Sequence, residues 1–447
     1  MDLETHDGIL SRIHEASDLK IKDVLSLNLF NGVEKNKHAI LTCREMTFDF
    51  PVDLPLPRFP IVEGENVRYI DLSAEFVKQA VSLGKHLKDS VITDHEVFTP
   101  IKKLSQDVAI FGKSGSGKTF FLARFVKELA QKVPEVGILV LNLAKSSQEA
   151  FYDGFKVIRY TDDDFSLPYY YSTPEAPREK LLQETATHIC ASLGLKNVFE
   201  KIIYRTQVGF ERKVGKLPEH FIHLLTGVEN YIKNNPYGPE EQANLLQVFR
   251  NRKNVFDEEK IMDVLRIRNG LPDWLEGWLG GMNVFLDLSA CNKFVKTLLV
   301  NCLFQVVRTV TKDEIEERLK HLIVIDEAHS ILEKPITTNS DDADFIVKEQ
   351  MNKIFSELLK EYRSRGVGFV LADQSPSSLF GDVVAQPSLK VIFRQDYPNN
   401  LMFSESPTER QALTQLPNRI ALVLNGATGE KFLVKTLDFN GLSYLYD

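Results

Sequence analysis

The chain has 447 residues, a formal net charge of −8, 43% hydrophobic and 26% charged residues, and four cysteines. That length allows two or three structural units with sizeable cores, and the composition is that of a globular protein rather than a disordered or fibrous one. The acidic balance excludes a uniformly basic surface. Cys43, Cys190, Cys291 and Cys302 are too scattered for a disulfide framework or zinc site, and an acidic start with no apolar run near ~18 residues points to a cytoplasmic protein without membrane spans.

Residues 1–84 read as a small, partly β module, with a place for partner docking. It has a helical start over Ile9 to His14, a strand over His38 to Thr42, a proline-rich stretch from Pro51 to Pro60, and a strand-like piece at Val67 to Ile70; another such piece follows at Ser90 to Ile92. Residues 85–174 carry strand, loop, helix, strand. The apolar run Val108 to Phe111 leads into a glycine-rich loop. Beyond the loop, Phe121, Leu122, Phe125, Val126 and Leu129 recur at helical spacing until Pro134. Gly137 to Leu141 is continuously apolar, as in a strand buried on both faces.

Residues 175–272 form a charged, helical insertion. Strands resume in residues 273–447, at Asn283 to Leu288, followed by a helix from Lys293 to Thr311 and the apolar run Leu322 to Ile325. A polar loop, Thr337 to Asp344, precedes a helix with Val347, Met351, Phe355, Leu358, Leu359 and Tyr362 on one face and Gly366 at its C′ position. Val367 to Ala372 is a further buried strand, and the tail adds strands near Lys390 to Phe393 and Ile420 to Leu424. Alternating strands and helices predict an α/β fold with a mostly parallel sheet.

The loop Gly112-Lys113-Ser114-Gly115-Ser116-Gly117-Lys118-Thr119 is a complete G-x-x-x-x-G-K-[ST] pattern. Its glycines let successive backbone N–H groups face one anion beside a helix N-terminus, Lys118 reaches the β- and γ-phosphates, and the Thr119 hydroxyl ligates Mg²⁺. Asp326 ends an apolar strand and is placed to hold Mg²⁺, with Glu327 to orient or deprotonate water. The pattern therefore implies ATP and Mg²⁺. Asp326-Glu327-Ala328-His329 spells a helicase motif, but no second half with an arginine-rich closing motif follows, and no LSGGQ-like signature precedes it.

The run from Glu361 to Leu379, with Arg363, Arg365, Gly366, Gly368 and Gln374-Ser375-Pro376-Ser377, resembles the "arginine, glycine-x-glycine, strand, T/S-Q-x-P-S-x-L" segment of HerA/FtsK-type P-loop ATPases. Val108 to Thr119, Val284 to Ser289, and Glu409-Arg410 with Leu416-Pro417 and Ala421 are similar to further family segments in the same order, so the resemblance covers about residues 85–435. It implies a RecA-like core, a γ-phosphate-sensing role for Gln374, and an arginine acting on the neighbouring subunit's nucleotide, with Arg363 first and Arg365 and Arg394 behind it. The chain departs from the family at Asn142-Leu143-Ala144-Lys145-Ser146, where an acidic segment is usual, and at Asp373, where a small residue is usual.

The HerA branch implies a homo-hexamer that translocates double-stranded DNA in concert with a nuclease or other effector protein. The rival reading is an ATP-binding hexameric scaffold that assembles and gates an effector without moving DNA far. Two basic stretches, Lys201, Arg205, Arg212, Lys213 and Lys216, then Arg250, Arg252 and Lys253, are read as solvated helix faces rather than DNA contacts.

Overall fold

The computed structural model describes residues 27–29, 39–41, 74–88, 91–144, 146–174, 176–257, 261–268, 270–311, 316–335 and 342–437. The helical start over 9–14, the pieces at 51–60 and 67–70, most of the 337–344 loop, and Cys43 lie outside these residues. The chain divides into two units, Met1–Leu56 and Pro57–Asp447. In the first, β1 (Leu27–Leu29) and β2 (Ala39–Leu41) pair antiparallel.

The second unit is built on one eleven-stranded sheet. In chain order its elements are α1 (Ala74–Val77), β3 (Ala80–Lys88), β4 (Val91–Pro100), β5 (Val108–Phe111), α2 (Lys118–Lys132), β6 (Gly137–Asn142) and β7 (Lys156–Arg159). A helical stretch follows: α3 (Arg178–Ser192), α4 (Asn197–Val214), α5 (Phe221–Asn234), α6 (Pro239–Asp257), α7 (Ile261–Val264) and α8 (Asp273–Leu279). Then come β8 (Val284–Asp287), α9 (Lys293–Val310), β9 (Glu316–Asp326), α10 (His329–Leu332), α11 (Ala343–Arg363), β10 (Arg365–Asp373), α12 (Gly381–Ala385), β11 (Leu389–Ile392), α13 (Pro407–Thr414), β12 (Ile420–Asn425) and β13 (Glu430–Lys435).

The strand order is β4-β3-β13-β12-β11-β5-β10-β9-β6-β8-β7. The seven strands from β11 to β7 are parallel, and the other four are antiparallel. The central strands β5 and β6 are buried along their whole length, as continuously apolar sequences covered on both faces require. Position 84 falls inside β3, which is held on one side by β13 and on the other by β4.

Helix α2 buries Phe121, Leu122, Phe125, Val126 and Leu129 against the sheet. Its other side is also covered. Arg124 and Glu128 are buried and paired at 2.7 Å; Arg124 donates to the carbonyl of Ser82, and the Ser82 N–H donates to Glu128 at 3.0 Å. Lys132 joins Glu128 at 2.8 Å. Buried charges persist only when paired and hydrogen-bonded, so this cluster fixes α2 over β3. The helical stretch packs on α9 through buried polar contacts, Asn301 Nδ2 donating to Ser192 Oγ at 2.8 Å and Gln305 donating to Thr185. Helix α11 ends at Arg363 with Ser364 as its C-cap, so Gly366 lies two residues beyond the cap rather than at C′. It takes φ 71° at the irregular start of β10, where a Cβ would meet the Arg318 carbonyl at 2.5 Å. Cys190, Cys291 and Cys302 are buried. No helix among the described residues is long and apolar enough to cross a membrane.

Candidate nucleotide site

The parallel register pairs Phe111 with Asp373 and Asp326 with Ala372, bringing Phe111, Asp373 and Asp326 to the C-terminal ends of the neighbouring strands β5, β10 and β9, the edge where open α/β sheets bind ligands. The glycine-rich loop leaves β5 here and is tied down on three sides. Gly112 N–H donates to the Asp373 carbonyl at 3.1 Å, Lys113 N–H to the Arg394 carbonyl at 2.9 Å, and the Ser116 carbonyl accepts from Arg419 N–H at 2.9 Å. Gly115 and Gly117 take φ 75° and 105°, open to glycine and strained for other residues. No side chain caps the N-terminus of α2, so its orphan N–H groups face the loop's concavity.

Lys118 begins α2 and is buried. Its Nζ lies 2.9 Å from Asp326 Oδ1 and 3.8 Å from Glu327 Oε1. Burial alone would lower the ammonium pKa; the two carboxylates outweigh it and hold the group above its ordinary value. The second Asp326 oxygen accepts from the buried Gln148 Nε2 at 2.8 Å. Glu327 leaves the strand with φ 55°, a left-handed conformation that glutamate adopts only under constraint. Its N–H donates to Asp326 Oδ1 at 2.9 Å, and its Oε1 accepts from Gln374 Nε2 at 2.6 Å.

Behind Glu327, His329 Nδ1 sits 2.9 Å from Asp373 Oδ2 and 3.5 Å from Glu327 Oε2. The hydrogen bond to Asp373 raises the His329 pKa, and although burial pushes Asp373 up, His329 draws it below the usual carboxylate range. Ligand atoms of Glu327, His329 and Asp373 lie within 4.8 Å of one another. The contacts already made by His329 and Asp373 explain them as a hydrogen-bonded pair.

The structure therefore gathers Lys118, Asp326, Glu327 and Gln374 at one point beside the 112–119 loop. Lys113, Ser114, Gly115, Gly117, Lys118, Thr119, Glu327 and Gln374 all line one cleft of ≈ 290 Å³. Arg363 and Arg365 are elsewhere, whereas Arg394 adjoins the loop through its carbonyl. Arg363 is half-exposed at the far end of β5, 3.7 Å from the buried Asp107. Arg365 is turned inward, donating to the carbonyls of Arg308 at 2.7 Å and Thr311 at 3.3 Å and pairing with Glu361; these contacts make it a clamp on the end of α9 rather than a group able to reach outward. Arg394 is half-buried at the end of β11. In the basic stretches, Arg250 and Lys253 lie 3.7 and 3.6 Å from Glu229.

Motif reading missed Gln148, the His329–Asp373 pair, and Gln395, whose amide, in the orientation that satisfies both ends, accepts from Gly112 N–H at 2.7 Å and donates to the Gln374 carbonyl at 3.0 Å. No spacing signal marks these residues. At the usual acidic segment of the resembled family, Asn142 instead donates to Asp287 at 2.9 Å.

Residues 81–158 match the family model "Helicase HerA, central domain". Over nearly the whole chain the protein is similar to the DNA double-strand break repair helicase HerA of Sulfolobus acidocaldarius, at 22% identity covering 97% of this chain and 86% of the relative. The HerA of Sulfurisphaera tokodaii is 24% identical, covering 87% and 76%. The fold is similar to that of VirB4 of Thermoanaerobacter pseudethanolicus, with a TM-score of 0.58 at 14% identity over 80% of this chain and 96% of that one. It is also similar to the plasmid coupling protein TrwB solved with ADP and Mg²⁺, with a TM-score of 0.55 at 13% identity over 76% and 87%.

Proposed function

We propose that this chain, a P-loop ATPase of the HerA/FtsK type, is the subunit of a hexameric ring that uses ATP hydrolysis to move double-stranded DNA in concert with a nuclease or other effector protein. The observation that carries the reading is the convergence of Lys118, Asp326, Glu327 and Gln374, drawn from three strand ends, beside a phosphate-binding loop.

Each group has a task its chemistry suits. The loop N–H groups and the ammonium of Lys118 bind the triphosphate. The Thr119 hydroxyl and the Asp326 carboxylate are hard oxygen donors of the kind Mg²⁺ takes together with phosphates, and so fit that ion. When bound, Mg²⁺ supplies charge neutralisation to the transferring phosphoryl group. Glu327 accepts the proton of the attacking water, and Gln374, bonded to that carboxylate, sets its orientation. Gln148 fixes the Asp326 carboxylate, and the His329–Asp373 pair backs the turn that carries Glu327.

Arg363 lies at the opposite end of β5 from its own phosphate loop, which suits a guanidinium that serves a neighbour's nucleotide rather than its own. In this reading the part of residues 1–84 that precedes β3 docks the effector, Ala80 to Gly84 belonging to the core sheet, and residues 175–272 are an insertion on the ATPase core.

The test is ATP turnover with and without double-stranded DNA, with Lys118→Ala and Glu327→Gln as inactive controls. DNA stimulation is expected. Turnover indifferent to DNA and responsive only to a partner protein would refute the motor. Mixing Lys118→Ala with Arg363→Ala subunits should restore part of the activity, because the first lends its arginine to the intact loop of the second. Absence of any recovery would refute action between subunits.

A further inference from the structure

The cleft is lined by the charged and polar groups Lys118, Glu327 and Gln374, and also by Phe120, Asn418 and Arg419, which belong to neither the phosphate loop nor the Asp326-Glu327 strand end. Phe120 is 43% exposed, although the next residue, Phe121, is fully buried. Its ring is held by Phe151 in a T-shaped contact at 5.4 Å, and the Arg419 guanidinium lies over it, 5.9 Å from the ring centroid.

Arg419 is held in a costly conformation. Its φ is 65°, in the left-handed region that arginine rarely enters. Backbone hydrogen bonds enforce it: Arg419 N–H donates to the Ser116 carbonyl at 2.9 Å, and the Arg419 carbonyl accepts from Thr436 N–H at 2.8 Å. The side chain presses on the loop, its Cγ only 3.1 Å from where a Cβ on Gly117 would stand. The fold thus tolerates backbone strain to set a guanidinium and an exposed aromatic ring beside the phosphate loop.

We infer that Phe120 and Arg419 form the nucleobase subsite of this ATPase, the base lying against the surface made by the Phe120 ring and the Arg419 guanidinium. The inference deepens the nucleotide reading above and rests on it. Stacking on an aromatic face beside a cation suits any purine π-face, so the subsite adds affinity for the nucleoside part and none for the phosphates.

The experiment compares Mg-ADP with inorganic pyrophosphate as ligands, titrated by calorimetry or competition against wild type, Arg419→Gly and Phe120→Ala. Arg419→Gly folds without strain because glycine accepts φ 65°, and its melting midpoint should not fall. Each variant should lose roughly tenfold in ADP affinity, the lower range for one base–aromatic stack, with pyrophosphate affinity unchanged. Equal losses for both ligands, or no loss for either, would overturn the subsite while leaving the phosphate loop standing. A wild-type protein that binds neither ligand would overturn both readings.

Discussion

Replacing Asp107 with asparagine should make the protein more stable at high pH and leave it unchanged at low pH. Asp107 sits at the start of β5 with φ 63° and is buried. Its Oδ1 accepts from Phe369 N–H at 2.9 Å, and its Oδ2 faces Arg363 at 3.7 Å. Burial pushes its pKa from 3.8 to about 7, against the pull of the Phe369 N–H and Arg363. The folded protein therefore keeps this proton up to about pH 7, whereas the unfolded chain releases it near 3.8. Between those values the unfolded state binds fewer protons, so stability falls as pH rises and levels off above about 7. At about 1.4 kcal/mol per tenfold change in proton affinity, the loss is capped at about 4 kcal/mol. Asparagine tolerates the left-handed backbone and keeps an acceptor for Phe369. The Arg363 pair it gives up is already contained in the shifted pKa. Denaturant midpoints measured from pH 4 to 8 should lie closest at the acid end and separate progressively, with Asp107→Asn ahead by up to about 4 kcal/mol at pH 8. The neutral buried histidines His188 and His321, each held down to about 4 by burial, oppose this trend in the wild type but cancel in the comparison. Parallel curves, or a variant less stable at pH 8, would refute the reasoning.

Two further outcomes follow from contacts described above. Gln374→Ala removes the amide bonded to Glu327 and should lower kcat by roughly ten- to a hundredfold while ADP binding holds, since the lost group orients the water-activating carboxylate; equal weakening of ADP binding would place Gln374 in ground-state binding instead. Gly137→Ala drives a Cβ to 2.0 Å from the Trp278 carbonyl, a backbone atom that cannot swing aside, so about 3 kcal/mol or more of stability should be lost in thermal or denaturant unfolding. An unchanged midpoint would show that α8 shifts freely against β6.

The charged heart of the site was legible because the phosphate loop and the Asp326-Glu327 strand end each carry their chemistry in adjacent residues. Lys118 and Asp326 then meet across 208 positions because both follow buried apolar strands, whose order in a parallel sheet the alternation predicts. Gln374 was reached through family resemblance rather than spacing. Gln148 and Gln395 had no such marker, and Arg419, though inside the Leu416 to Ala421 segment of the resemblance, carried no role there; the sheet brings all three to the nucleotide edge. Strand β3 was missed for a related reason. Its sequence, Ala80–Lys88, includes a glycine, a histidine and two lysines and reads as neither alternating nor apolar, yet pairing on both sides and the Arg124–Glu128 cluster above bury it. Position 84 could not be seen as the middle of a strand until its partner was known.

That partner has a consequence for how the protein is made. Strand β13 joins β12 to β3, pairing Leu433 with Leu87, so the sheet closes on its antiparallel side only when the last described strand arrives. On the ribosome the β3–β4 hairpin emerges early and carries an unpaired edge through the synthesis of everything between. Such long-range pairing is slow, and an exposed edge recruits other chains. Nascent or C-terminally clipped forms lacking residues 430–435 should therefore be the aggregation-prone species of this protein, and a holdase on that edge is where cellular assistance would count most.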